Sequence, residues 1–248
     1  MNFQPSTGRG TAGAVIRFTG VQSNFILTNA HVAFDGLSRT ESLESSEEAS
    51  MRHGRIEEFN RHCFHGSYER EHGRHMDYAV IPCAESFEKS LQLKCDRLDG
   101  EKLCQPKWFP ELWKQMHSED YFVNKRVAKR GIATGVTGGL IKGIDIASGT
   151  YEVTSGTRVG DAAWSNCFTQ PGDSGSLVLC FEDELGWFPI GLHYSGAELY
   201  DGYHSYILPL SKVFQHIALK NSFGMALEVQ FLNPFFGKGS VRILVSEP

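Results

Sequence analysis

The sequence predicts an antiparallel all-β protein, a barrel or a sandwich. Two observations predict it. Short apolar, alternating runs recur along the chain, and glycine-containing turns separate them. RVAKRGIATGVTGGLIKG (126–143), GTYEVTSG (149–156), SLVLCF (176–181), WFPIGLHYSG (187–196) and YHSYILPL (203–210) carry this pattern through the second half.

Taken in chain order, AVIRFTG (14–20) and NFILTNAHVAF (24–34) read as a hairpin around Gly20 and a polar Gln22-Ser23-Asn24 turn. Residues 35–76 break the pattern, and the acidic stretch ESLESSEEAS (41–50) reads as a solvated loop. The strand signal returns at DYAVIP (77–82). Residues 84–121 predict a partly helical connector, with Trp108, Phe109, Leu112 and Trp113 as its apolar face. SKVFQHIALK (211–220) predicts a helix. Leu210, Val213, Phe214, Ile217 and Ala218 repeat at helical spacing, and Ser211 is placed to cap it. MALEVQF and VRILVS form a strand-like tail.

The 248 residues carry a net charge of −5, which gives no general attraction to nucleic acid or an anionic membrane. No apolar run approaches the roughly 18 residues of a membrane span. The chain opens without a basic segment followed by an apolar one, so no secretory signal is read. The six cysteines (Cys63, Cys83, Cys95, Cys104, Cys167, Cys180) are therefore expected as reduced thiols, and the location as cytoplasmic.

Three segments carry chemistry. In QPGDSGSLV (170–178), Gly172 and Gly175 flank Ser174, so a hydroxyl stands at a tight turn with backbone N–H groups beside it. Serine is a weak nucleophile and needs a base within hydrogen-bond reach. TNAHVAF (28–34) offers His31 at the end of the apolar strand FILTNA. MDYAVIP (76–82) offers Asp77, which opens an apolar strand and is suited to hold the second ring nitrogen of a histidine.

In the order His, Asp, Ser, these segments resemble the three catalytic motifs of the trypsin-like, chymotrypsin-fold serine proteases. The order excludes the subtilisin-like and α/β-hydrolase arrangements. The resemblance implies an all-β protein of two antiparallel six-stranded β-barrels with the active site between them. Residues 1–121 would form the first barrel plus the connector. Residues 122–248 would form the second barrel, with the C-terminal helix and tail. It implies Ser174 as nucleophile, His31 as general base and then acid, and Asp77 as its orienting carboxylate. The N–H groups of Gly172 and Ser174 would form the oxyanion hole.

The departures from the secreted digestive members matter. Val32 stands where they have a cysteine, and no Ile-Val-Gly-Gly sequence is present to supply a freed N-terminus for Asp173. Asp173 must then be satisfied from elsewhere. The chain resembles the glutamyl endopeptidases, the high-temperature-requirement proteases and the viral members of the fold more closely, and KRGIATGVTGG (129–139) resembles a glycine-threonine stretch of intracellular fungal trypsin-like proteases.

The resemblance places Phe168, Thr169, His193 and Ser195 at the pocket for the residue before the scissile bond. Phe168 argues against Lys/Arg specificity. Thr169 and His193 suit a Glu or Gln side chain, and a medium apolar side chain is the alternative. His53, His62, Cys63, His65, His72 and His75 crowd an irregular loop without a paired C-x-x-C, so no metal is expected. No cofactor is expected either. The expected partners are a protein or peptide substrate and neighbouring domains of a larger protein. The competing function is a protease-fold module of a signalling protein that is inactive or partner-activated.

Overall fold

The computed structural model describes residues 2–3, 10–18, 24–33, 64–66, 76–82, 104–116, 118–146, 148–155, 167–200, 202–220, 226–232 and 240–244. Within them the fold class is the all-β one that the sequence predicts, with two six-stranded antiparallel structures.

The strands are β1 (Asn2–Phe3), β2 (Gly10–Thr11), β3 (Ala14–Phe18), β4 (Phe25–Thr28), β5 (Phe64–Gly66) and β6 (Tyr78–Pro82). They continue as β7 (Arg126–Gly131), β8 (Gly135–Asp145), β9 (Thr150–Ser155), β10 (Leu177–Glu182), β11 (Gly186–Leu199) and β12 (Gly202–Pro209). The last two are β13 (Ala226–Phe231) and β14 (Ser240–Leu244). The helices are α1 (Ala30–Ala33), α2 (Phe109–Gln115), α3 (Glu119–Phe122) and α4 (Leu210–Lys220), and a 3-10 turn, Pro106–Trp108, precedes α2.

Strands β7 to β12 close into a barrel in the order β10-β11-β12-β9-β8-β7. Closure leaves no unpaired edge, which suits short strands that could not each stand alone. The barrel core is built by Val127, Ile141, Val153, Val178, Phe188, Ile190, Leu192 and Ile207, all essentially inaccessible to water. Each such side chain is worth about 1.5–3 kcal/mol relative to leaving it exposed.

The other structure is a six-stranded sheet, in the order β14-β13-β3-β4-β6-β5. Strands β13 and β14 correct the expected division of the chain. Val229 pairs with Phe18, Gln230 with Arg17 and Phe231 with Ile16, so the tail completes the N-terminal sheet instead of extending the second barrel. An apolar strand edge at β3 needs a partner, and the tail supplies it.

Helix α4 buries the predicted face, Leu210, Val213, Phe214, Ile217 and Ala218. Helix α2 buries Phe109, Leu112 and Trp113, whereas Trp108, expected on the same face, is 44% exposed because it precedes the helix in the 3-10 turn. Trp113 donates Nε1–H to the Pro189 carbonyl at 2.6 Å. Rings of Phe109, Phe214 and Phe231 lie 5.8–6.0 Å from one another along the Phe231 contacts, which joins connector, helix and tail into one aromatic cluster.

Candidate active site

His31 is placed by β4 and the helix that follows it. The apolar strand β4 ends at Thr28, and the chain turns at once into the one-turn helix α1, with the Ala33 N–H donating to the Asn29 carbonyl at 3.0 Å. His31 is therefore the second residue of a short helix and not the end of a strand, a correction to the sequence-based expectation. The reason is local: Asn29 is completely buried, and its side chain donates to the Asp77 carbonyl at 2.7 Å, which redirects the chain toward β6.

Asp77 stands just before β6 and is 5% exposed. Its carboxylate holds His31 at two points. The His31 backbone N–H donates to Oδ1 at 3.0 Å, and the ring Nδ1 lies 2.5 Å from Oδ2. With Nδ1–H committed to the carboxylate, Nε2 is the nitrogen that carries the lone pair. The side chain of His31 remains 32% accessible, so the ring is held from one side and open on the other.

The Ser174 turn is docked on β2, which pairs with β1 in a separate two-stranded sheet. Thr11 of β2 donates its N–H to the Ser174 carbonyl at 2.8 Å and its hydroxyl to the Gly172 carbonyl at 3.0 Å. Thr28, three residues before His31, donates its hydroxyl to the Thr11 carbonyl at 2.9 Å. Thr11 thus ties the serine turn to the end of β4, just before the helix that carries the histidine. Gly175 has a positive φ of 89°, and any Cβ there would collide with the Thr11 carbonyl and the Thr28 hydroxyl.

Inside the turn the donors are sorted. Asp173 N–H bonds the Gln170 carbonyl at 2.9 Å, Gly175 N–H the His193 carbonyl at 2.9 Å, and Ser176 N–H the Asp173 carbonyl at 3.0 Å. Among the described residues the N–H groups of Gly172 and Ser174 have no protein acceptor. Gly172 takes φ 103°, a conformation open to glycine, with its carbonyl fixed by Thr11.

The carboxylate of Asp173 points the opposite way, into the barrel, where it and Lys129 are both fully buried. Five donors meet it. Oδ2 accepts from Lys129 Nζ at 2.7 Å, the Thr134 hydroxyl at 2.6 Å and Gln170 N–H at 3.1 Å. Oδ1 accepts from Ala133 N–H at 2.9 Å and Thr134 N–H at 3.2 Å. Burial pushes this carboxyl up, but the bonds from Lys129 and Thr134 and the lysine charge outweigh it and hold it below the ordinary aspartate value. A Cβ at position 131 would collide with the carboxylate, so Gly131 admits it. Lys129, Gly131 and Thr134 were legible in KRGIATG only as a glycine-threonine stretch; their role depends on β7 lying beside the serine turn.

The four expected pocket residues separate. Thr169 is fully buried, and its hydroxyl lies 2.5 Å from the Ser205 hydroxyl on β12. Tyr203 also hydrogen-bonds Thr169. His193 is 3% exposed and its strand is stitched to the serine turn, its N–H bonding the Ser176 carbonyl at 2.9 Å. Phe168 faces the barrel core, with Lys129 Nζ 5.8 Å from its ring. Ser195 is exposed, after a β-bulge between His193 and Ser195. Sequence reasoning missed Ser205 and Tyr203, because nothing in YHSYILPL distinguishes the inward from the outward residues.

Among the described residues Cys104, Cys167 and Cys180 are free thiols, and no cluster of potential metal ligands occurs. His53, His62, Cys63, His72, His75 and the side chain of His65 lie outside the described residues, as do Cys83 and Cys95. No described helix is long and apolar enough to cross a membrane.

No family model matches the chain, and no curated protein matches it. Among solved structures it is similar to Thermobifida fusca protease A, at 14% identity over 87% of this chain and 92% of that one, with a TM-score of 0.47. It is similar to a glutamic acid specific serine protease described as using a histidine triad in substrate binding, at 13% identity over 86% and 93%, TM-score 0.46. It is also similar to Nocardiopsis protease, at 11% identity over 88% and 94%, TM-score 0.44. All three are named as proteases, one of them as a serine protease.

Proposed function

We propose that the protein is a serine endopeptidase that works through an acyl-enzyme, with Ser174 as nucleophile, His31 as base and Asp77 as its orienting carboxylate. The observation that carries this is the two-point clamp of Asp77 on His31, with the serine turn tied through Thr11 to Thr28, three residues before His31. A histidine held through Nδ1 by a buried carboxylate has the tautomer needed to take a hydroxyl proton at Nε2.

The steps follow from those roles. Ser174 Oγ attacks the peptide carbonyl carbon, and its proton passes to His31 Nε2. The oxygen that becomes negative sits against the N–H groups of Gly172 and Ser174, the two donors without a protein acceptor. One such donor is typically worth about 2.7–4 kcal/mol in the transition state. His31 then gives the proton to the leaving amine as the C–N bond breaks. Water repeats the sequence on the ester and frees Ser174. His193 and Thr169 favour Glu or Gln before the scissile bond.

The Lys129–Asp173 pair supports an active isolated chain over a partner-activated one. A freed N-terminus or a docking partner would be needed to satisfy Asp173 only if the chain did not do so itself. An organofluorophosphonate probe followed by peptide mass spectrometry tests the proposal. Labelling at Ser174 that disappears in Ser174→Ala, together with loss of peptide cleavage, is expected. Labelling at another residue, or none in the folded wild type, overturns it.

A further inference from the structure

We propose that the cleft between α2 and the β10–β11 turn is a docking site for an arginine side chain of a partner polypeptide. The site lies apart from the candidate active site, and it stands whether or not the chain is a peptidase.

The cleft has a volume of about 250 Å³. That is below the roughly 300–1,000 Å³ of pockets that engulf a small molecule, and it suits one long side chain. One wall is the α2 segment. Trp108, Glu111, Leu112 and Gln115 stand at i, i+3, i+4 and i+7, so they form a single stripe facing the cleft. The opposite wall is the turn that closes the β10–β11 hairpin, with Glu182, Glu184 and Leu185. The Leu185 N–H donates to the Glu182 carbonyl at 3.2 Å and fixes this turn. Strand β10 starts three residues after Ser174, and the cleft stands at its other end. At about 3.3 Å per residue, the strand puts roughly 20 Å between the cleft and the serine turn.

The walls combine an uncovered ring with uncommitted negative charge. Trp108 is 44% exposed, beside the nearly buried Leu112. Among the described residues three carboxylates and no basic side chain line the cleft. Glu182 is committed, since its Oε2 accepts from Lys125 Nζ at 2.7 Å and from the Tyr121 hydroxyl. Glu111 and Glu184 are exposed, and among the described residues neither has a hydrogen-bond or ion-pair partner. The cations of the α2 segment, Lys107 and Lys114, fall off the stripe and do not line the cleft, although Lys107 Nζ lies 5.3 Å from the Trp108 ring centroid.

The chain already satisfies one such arrangement from within. Lys125 Nζ lies 4.4 Å from the Tyr121 ring centroid while it bonds Glu182, a cation held between an aromatic face and a carboxylate. Trp108, Glu111 and Glu184 offer the same elements to a cation from outside. Arginine suits them better than lysine. Its guanidinium is flat, stacks on an aromatic face and can bond two carboxylates at once, and its apolar stem can pack on Leu112 and Leu185. Because Glu111, Gln115 and Glu184 are exposed, a free small molecule would stay largely in water there. A side chain carried on a polypeptide is positioned by its own backbone.

The test titrates the isotope-labelled full chain with N-acetyl-Gly-Arg-Gly-amide and with its neutral citrulline twin. The Trp108 indole N–H resonance, assigned with Trp108→Phe, is followed by NMR. We expect a saturable shift with the arginine peptide and roughly tenfold weaker binding of the citrulline peptide. A lysine peptide should lose about two- to fourfold, for want of the flat head. Glu111→Gln combined with Glu184→Gln, two exposed positions, should bring the arginine peptide down to the citrulline level and leave the remaining resonances in place. Raising salt to about 0.5 M should weaken the arginine peptide and not its twin, because exposed charges are screened. Equal binding of the two peptides, no saturable shift at Trp108, or a double variant that binds as tightly as the wild type overturns the proposal.

Discussion

Asp77 and Asp173 are both buried carboxylates, one clamping His31 and the other adjoining Ser174, yet their surroundings differ in kind. Asp77 meets an imidazole that is one-third accessible on its far side. Asp173 meets a lysine ammonium, a hydroxyl and three backbone N–H groups, and neither it nor Lys129 touches water. A neutral, partly open imidazole can gain and lose a proton. Burial weakens the hold of Lys129 on its proton while the hydrogen bond and charge of Asp173 oppose that, and no water reaches either group. The first carboxylate is arranged for proton transfer; the second holds a backbone turn in one shape.

The two residues are expected to fail differently when changed. The largest effect is expected at Asp77→Asn. The amide presents the wrong hydrogen to Nδ1, and kcat should fall by about 10⁴ while the urea unfolding midpoint moves little. A comparable loss of stability would mean that Asp77 is structural. Next comes Lys129→Met, which leaves Asp173 buried without its cation. It should cost about 3–5 kcal/mol in urea unfolding. It should also lower kcat/KM by about 10²–10³, as loss of one oxyanion donor does. Adding Asp173→Leu should restore most of the stability, because an apolar pair can replace a buried ion pair, but not the activity. Recovery of both would end the assignment of Asp173 as a positioning residue.

The smallest effect is on pH dependence. Asp173 is held below its ordinary value, so its contribution is complete above about pH 4, where the unfolded carboxyl is ionised. It is lost as pH falls through the folded value. Wild-type unfolding free energy should therefore decline below about pH 4, and Asp173→Asn should flatten that decline. An unchanged acid limb would show that other carboxylates set it.

Much of this molecule was legible in the chain itself. Alternation and glycine spacing announced the strands, helical periodicity announced α4, and two of the motifs singled out, at His31 and Asp77, meet in the structure. The strand and helix signals are short-range features, because a β-strand repeats every two residues and a helix every 3.6. Only the tertiary structure could place β13 beside β3, since strand pairing across some two hundred residues leaves no periodic trace. The same is true of Lys129 against Asp173 and of Tyr203 against Thr169, pairs more than thirty residues apart that join a strand to the segment around the serine turn. A residue's type can be read from sequence, but whether it is an acceptor without a donor or a cation without water depends on what surrounds it.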